Sequence, residues 1–206
     1  MIVIVDYGMG NLRSIQHKLQ KIDIKAVVSS QVEDLEQATL LILPGVGHFG
    51  AGMNNLRQSN LLAVLNRKVL EQKVPIMGIC LGMQLLTEWS EEGNSEGLGW
   101  LRAKTKKFSF PEGEAGLRIP HVGWNSISPT GDSELLNGIV SDQRFYFTHS
   151  YYVECEEEAV LATTNYGYDF VSVVHKENIF GTQFHPEKSH RRGIELIRNF
   201  VRTMKC

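Results

Sequence analysis

The feature that most restricts the fold of this chain is an alternation along its first 90 residues. Short apolar runs at residues 2–5, 25–29, 39–43 and 75–80 each give way to a segment of helical character, at 12–22, 32–38, 53–70 and 81–89. A strand with one face in water alternates apolar and polar residues, so strands that are apolar throughout belong to a sheet covered on both faces. The predicted class is therefore α/β, with a doubly wound, mostly parallel central sheet and helices on both faces. Such sheets carry their sites at the carboxyl ends of the strands. The first connection already has that form: the glycine turn at 7–10 delivers Asn11, a favoured N-cap, to the helix over 12–22.

Beyond Gly93 the texture changes to glycine-rich connections and short strand-like runs at 117–119, 144–152, 160–164, 170–174 and 179–184. These predict hairpins and an antiparallel extension in the C-terminal half. The acidic run at 154–158, interrupted by Cys155, reads as a solvated turn. Ile194, Ile197, Val201 and Met204 recur at helical spacing in a final helix over 190–204, whose basic end suits the helix dipole. With no linker, repeat or low-complexity tract, residues 1–206 are read as one domain.

Composition removes several function classes. Charged residues make up 21% of the chain and the formal net charge is -2, so nothing calls for nucleic acid. No run approaches the ~18 apolar residues of a membrane span, and the N-terminus has neither a basic region nor a cleavage site, so the expected location is the cytoplasm. The three cysteines, Cys80, Cys155 and Cys206, are widely spaced without a CxxC pair, which argues against a disulfide framework or a zinc site. No metal and no cofactor is expected.

Chemistry concentrates at Gly78-Ile-Cys80-Leu-Gly82, which has the layout of the Gly-x-Ser-x-Gly nucleophile elbow with sulfur for the hydroxyl. A nucleophile on a tight strand-to-helix turn needs neighbours without a Cβ, and the helix start favours thiolate. The competing reading is a small buried thiol, the usual state of an isolated cysteine. Partners decide between them. His185 and Glu187, in Gly181-Thr-Gln-Phe-His-Pro-Glu-Lys-Ser189, follow an apolar run; imidazole supplies a base near neutral pH, and a carboxylate two residues on can orient it. A structural, hydrogen-bonded histidine is the alternative there. An oxyanion formed by attack needs N–H donors, of which Leu81 is the first by elbow geometry, and the turn at 44–47 is the candidate source of the second.

Five motifs then occur along one chain: PGVGHFG at 44–50, GICLGMQLL at 78–86 with SEE at 90–92, IPHVGWN at 119–125, FYFTHSYY at 145–152 and GTQFHPEKS at 181–189. Together with DYGMGN at 6–11 they resemble the class I glutamine amidotransferases over nearly the whole chain, and in particular the glutaminase subunits of imidazole glycerol phosphate synthases. The resemblance implies Cys80 as nucleophile, His185 as base and Glu187 as orienting acid, with an oxyanion hole from Val46 and Leu81. It implies glutamine contacts at Gly47, Gln84, His149, Ser150 and Tyr151, and hydrolysis of glutamine to glutamate and ammonia through a thioester. It further implies a separate cyclase subunit of (β/α)8 barrel fold, joined as a heterodimer and faced by Asn11, His121, Trp124 and Lys188; for Trp124 a core position is the other reading. Thr148, where the family often has valine, and the basic stretch at 188–193 depart from the commonest pattern. A paralogue supplying ammonia to a sugar-modifying enzyme, a partner-free γ-glutamyl peptidase and a silent regulatory module remain as rival functions.

Overall fold

The four apolar runs of the N-terminal half are strands in the computed structural model, which describes residues 1–111 and 117–202. They are β1 (Ile2–Val5), β2 (Ala26–Ser29), β3 (Leu40–Gly45) and β4 (Ile76–Cys80), parallel in the order β2-β1-β3-β4. Side chains alternate across a strand, and both faces are used. Val3, Val5, Leu41 and Leu43 join a cluster with α2 (Val32–Glu36), α3 (Phe49–Gln58), α4 (Leu61–Asn66) and α5 (Leu81–Leu85). Ile2, Ile4, Leu40 and Ile42 join the opposite cluster, closed by α1 (Leu12–Gln20) and α6 (His190–Arg202). Each such fully buried aliphatic side chain contributes roughly 1.5–3 kcal/mol, and the two clusters explain why these strands show no polar face.

The C-terminal half extends the sheet. The strands are β5 (Trp89–Ser90), β6 (Ser95–Glu96), β7 (Ala103–Lys107), β8 (His121–Ser126), β9 (Ser128–Pro129), β10 (Arg144–His149), β11 (Tyr151–Cys155), β12 (Val160–Tyr166), β13 (Tyr168–Lys176) and β14 (Ile179–Thr182). β14 lies parallel to β4, and β13, β11 and β7 follow antiparallel, with β5 and β6 at the far edge. β8 and β10 form a separate two-stranded sheet.

Several elements differ from expectation for tertiary reasons. The helix expected over 53–70 begins at Phe49, because His48 Nδ1 accepts the Gly50 N–H at 3.1 Å and the Glu92 carboxylate accepts the Phe49 N–H at 2.7 Å. It breaks at Asn60, which is left-handed at φ 60°, and ends in a π turn, Arg67–Glu71. The helix expected over 81–89 stops at Leu85, where the carbonyls of Leu85, Leu86 and Thr87 accept N–H groups of residues 98–101 instead. Residues 117–119 form no strand; the Tyr166 hydroxyl takes the place of a ladder, accepting from Arg118 N–H and donating to its carbonyl. The single run at 144–152 divides at Ser150 into β10 and β11, which belong to different sheets. Glu154 and Cys155 of the expected turn are in β11, and only Glu157–Ala159 makes a helical turn. Met204 and Cys206 lie outside the described residues.

Three glycines let α5 sit directly on the strands. A Cβ on Gly82 would overlap the Leu43 carbonyl oxygen, one on Gly78 would lie 2.7 Å from the Gly82 carbonyl, and one on Gly45 would lie 2.7 Å from the Tyr7 hydroxyl. Gly82→Ala is therefore expected to lower the urea unfolding free energy by about 3 kcal/mol or to prevent folding. Gly131→Ala, with open space around it, should stay within about 0.5 kcal/mol of the parent. Equal unfolding midpoints for the two variants would refute this account of α5.

Candidate active site

Cys80 ends β4 with φ 54° and ψ −110°, a conformation that costs an L-residue on the order of 1–3 kcal/mol. The strand turns sharply there into α5, so the thiol stands at the first turn of a helix beside Gly45, its register partner on β3. The side chain is 6% exposed. Its sulfur lies 3.9 Å from the Thr148 carbonyl and 3.8 Å from Gln183 Nε2.

His185 arrives from β14, the other neighbour of β4. A helical turn, Pro186–Lys188, with proline at its first position, brings Glu187 back beside the ring. Neighbouring bonds hold this turn. The His185 N–H donates to the Tyr146 carbonyl at 2.9 Å, and the buried Ser189 hydroxyl donates to the His185 carbonyl at 2.6 Å while accepting the Tyr146 N–H at 3.0 Å. His185 Nδ1 and Glu187 Oε1 are 2.8 Å apart, with both residues buried. Nε2 has no hydrogen-bond partner among the described residues, which leaves it for the thiol. Burial pulls the imidazole toward its neutral form, but the Cys80 and Glu187 side chains outweigh burial and hold its pKa at about 9. The ring is thereby held in its charged form beside the Cys80 side chain.

A cavity of about 290 Å³ opens over the sulfur, lined by Val46, Gly47, Cys80, Leu81, Gln84, His149, Ser150 and Tyr151 among others. Every residue expected to bind substrate or form the oxyanion hole thus meets at one place. The break at Ser150 causes it, because the chain passing from one sheet to the other bends into the cavity wall. Leu81 is the first residue of α5, where backbone N–H groups have no partner within the helix, and Val46 sits at the end of β3 before Gly47, at φ 116°.

Glu92 also lines the cavity and is its one acidic lining residue among the described residues. Sequence reasoning missed it, because only the closure of residues 89–96 against α3 brings this carboxylate to the Phe49 N–H and the pocket. Gln183 was also missed. It is wholly buried behind the sulfur, and its place is visible in sequence only as one letter of a longer motif.

Of the residues expected to face a partner, Asn11 caps α1 by accepting the Ser14 N–H at 3.3 Å, and Lys188 is exposed with Nζ 5.6 Å from the Tyr146 ring. Trp124 is 43% exposed, so it is not core, and it stacks on His190 at 4.9 Å. His121 differs. Strand alternation along β8 turns it inward, only 3% exposed, with Nδ1 3.1 Å from His149 Nε2. Its ring lies on the face of β8 opposite the exposed Trp124. Burial lowers its pKa to about 4 and that of His149 to about 3, keeping both rings neutral. Among the described residues no group of three or more His, Cys, Asp or Glu side chains could hold a metal ion.

A family model described as glutamine amidotransferase class-I matches residues 3–204. The chain is 48% identical to imidazole glycerol phosphate synthase subunit HisH 2 of Methanococcus maripaludis, covering 98% of this chain and 99% of that one. It is 47% identical to subunit HisH 2 of Pseudomonas aeruginosa, covering 98% of each. Subunit HisH of Leptospira borgpetersenii is 46% identical, with 98% and 99% covered. A crystal structure of a glutamine amidotransferase superposes with a TM-score of 0.77 over 100% of both chains at 22% identity. A glutamine amidotransferase from Thermotoga maritima gives a TM-score of 0.65 at 15% identity, over 98% of this chain and 96% of that one. At those identities the structural likeness is one of fold.

The raised pKa of His185 gives a signed expectation. Its charge contributes stability that is fully present below pH 6.5 and is lost as the pH rises through about 9. Glu187→Gln removes one of the groups that raise it, so the variant should be less stable than the parent by roughly 1–2 kcal/mol below pH 6.5, with the difference narrowing above pH 9. Urea titrations at several pH values measure this. A gap of constant size from pH 6 to 10 would show that the imidazole is not charged beside Glu187.

Proposed function

The chain belongs to the class I glutamine amidotransferases, and we propose that it is the glutaminase subunit of an imidazole glycerol phosphate synthase. In this reading residues 1–206 form one cytoplasmic glutaminase domain that hydrolyses glutamine to glutamate and ammonia and passes the ammonia to a cyclase subunit of histidine biosynthesis. What carries it is the buried His185–Glu187 pair, 2.8 Å apart, beside a cysteine at the floor of a cavity, in a chain whose relatives bear that subunit's name across their whole length. No described helix is long and apolar enough to cross a membrane.

The mechanism follows from the atoms at the site. The Cys80 sulfur attacks the side-chain amide carbon of glutamine, and the Leu81 and Val46 N–H groups receive the developing oxyanion. His185 carries the thiol proton to the departing nitrogen, which leaves as ammonia, while Glu187 holds the ring by Nδ1 and stabilises its charge. Water, deprotonated by the same Nε2, then adds to the thioester, the S–C bond breaks and glutamate departs. Glu92 pairs with the α-ammonium group of glutamine; the polar backbone of 148–151 forms the opposite wall.

Ammonia released to water at neutral pH is mostly protonated and no longer nucleophilic, so sequestered transfer to a partner preserves it. We assign the partner as a (β/α)8 barrel cyclase in a heterodimer, docking over the surface that carries Asn11, Trp124 and Lys188.

Glutamate release measured alone, with the cyclase, and with the cyclase plus its nucleotide ligand tests the assignment. Strong stimulation is expected only in the last case. Full activity in isolation would indicate an independent hydrolase, and stimulation only by a sugar-modifying partner would indicate a different amination pathway. Cys80→Ala should lower glutamine hydrolysis by about 10⁴-fold or more. Synthesis from added ammonium salt by the complex should survive, and retained hydrolysis would remove Cys80 from the mechanism.

A further inference from the structure

The carboxamide of Gln183 is wholly buried, with its Nε2 3.8 Å from the Cys80 sulfur. Which end of an amide meets a neighbour is dictated by what the other end meets. The backbone carbonyl of Tyr151 can only accept, so both groups that reach it donate: His149 through Nδ1–H at 2.7 Å and Gln84 through Nε2–H at 2.9 Å. Gln84 therefore also presents its NH2 to Gln183, at 3.1 Å, and only Oε1 of Gln183 can accept it. The NH2 of Gln183 is left facing the sulfur. A main-chain atom sets the polarity of the whole series.

We propose that Gln183 is a fixed N–H donor to the Cys80 sulfur, and that Gln84 and the Tyr151 carbonyl are positioning groups that keep its amide from turning over. The proposal rests on the reading of Cys80 as the nucleophile. A donor gains more from a thiolate than from a thiol, because charge-assisted hydrogen bonds are roughly twice as strong as neutral ones. The Thr148 carbonyl, 3.9 Å from the sulfur, is an acceptor suited to the thiol and repels the anion. With Nε2 of His185 occupied in moving protons, Gln183 is the donor that remains in place throughout the cycle. When water adds to the thioester and the S–C bond breaks, the electron pair returns to sulfur, and the same N–H receives it.

Alkylation by iodoacetamide, scored on the Cys80 peptide by mass so that Cys155 and Cys206 are counted apart, reads the thiolate without glutamine. In Gln183→Met the alkylation rate at pH 7 is expected to fall about tenfold and its pH profile to move up by about one unit. For glutamine hydrolysis by the complex, kcat should fall while KM changes by less than about threefold. Gln183→Glu, which puts an acceptor and a charge in the same space, should lower alkylation further. Gln84→Leu, which frees the amide to turn, should lower it in the same direction, and it carries the test if Gln183→Met does not fold. Unchanged alkylation profiles in the folded variants would overturn the donor assignment. Normal hydrolysis by Cys80→Ala would instead overturn the nucleophile reading, leaving the alkylation result standing.

Discussion

The site depends first on how closely α5 approaches β3 and β4. Gly82 lies where any Cβ would enter the Leu43 carbonyl, and Gly45 and Gly78 remove the neighbouring obstacles. That contact forces the chain to reverse within one residue after Ile79, and the reversal is what gives Cys80 its positive φ. A looser fit would let the strand run on and carry the sulfur into the sheet. Interiors are dense enough that a single methyl group is felt, so the position of the thiol is set by backbone contact more than by the cysteine's own interactions.

Around that fixed point, separate parts of the chain converge for different reasons. β14 delivers His185 because it pairs with β4 in register, Thr182 beside Ile79. The wall at 148–151 arrives through the passage from the small sheet to the large one. Ser189 joins the two, holding the Tyr146 N–H and the His185 carbonyl with one hydroxyl. His185 and the pocket wall are thereby braced against each other, and the exposed face of β8 with Trp124 lies on the same two-stranded sheet.

Much of this is legible in the sequence where the signal is local. The apolar runs give the parallel strands because burial on both faces leaves no polar positions, and the two glycines around Cys80 announce a tight corner. Asn11 is readable as a cap for the same reason. What escapes depends on distant parts of the chain. The start of α3 at Phe49 relies on a carboxylate from Glu92, the end of α5 on N–H groups from residues 98–101, and the division at Ser150 on which sheet each half pairs with. β7, Ala-Lys-Thr-Lys-Lys, is too polar to read as a strand, yet its alternate residues Ala103 and Thr105 are buried. The motif around His121 suggests a surface position, and the parity of β8 turns the ring inward. The convergence of Gln84, Gln183 and Tyr151 has no local signature.

The backbone at position 80 holds a side chain in a conformation that works against the stability of the fold. Glycine would adopt φ 54° without strain, so this chain holds a side chain where its own main chain would rest more easily without one. On the proposed reading of Cys80 as the nucleophile, glycine at this corner would gain stability and forfeit the reaction. The strain at this corner is thus a cost in stability carried by the residue proposed above as the nucleophile.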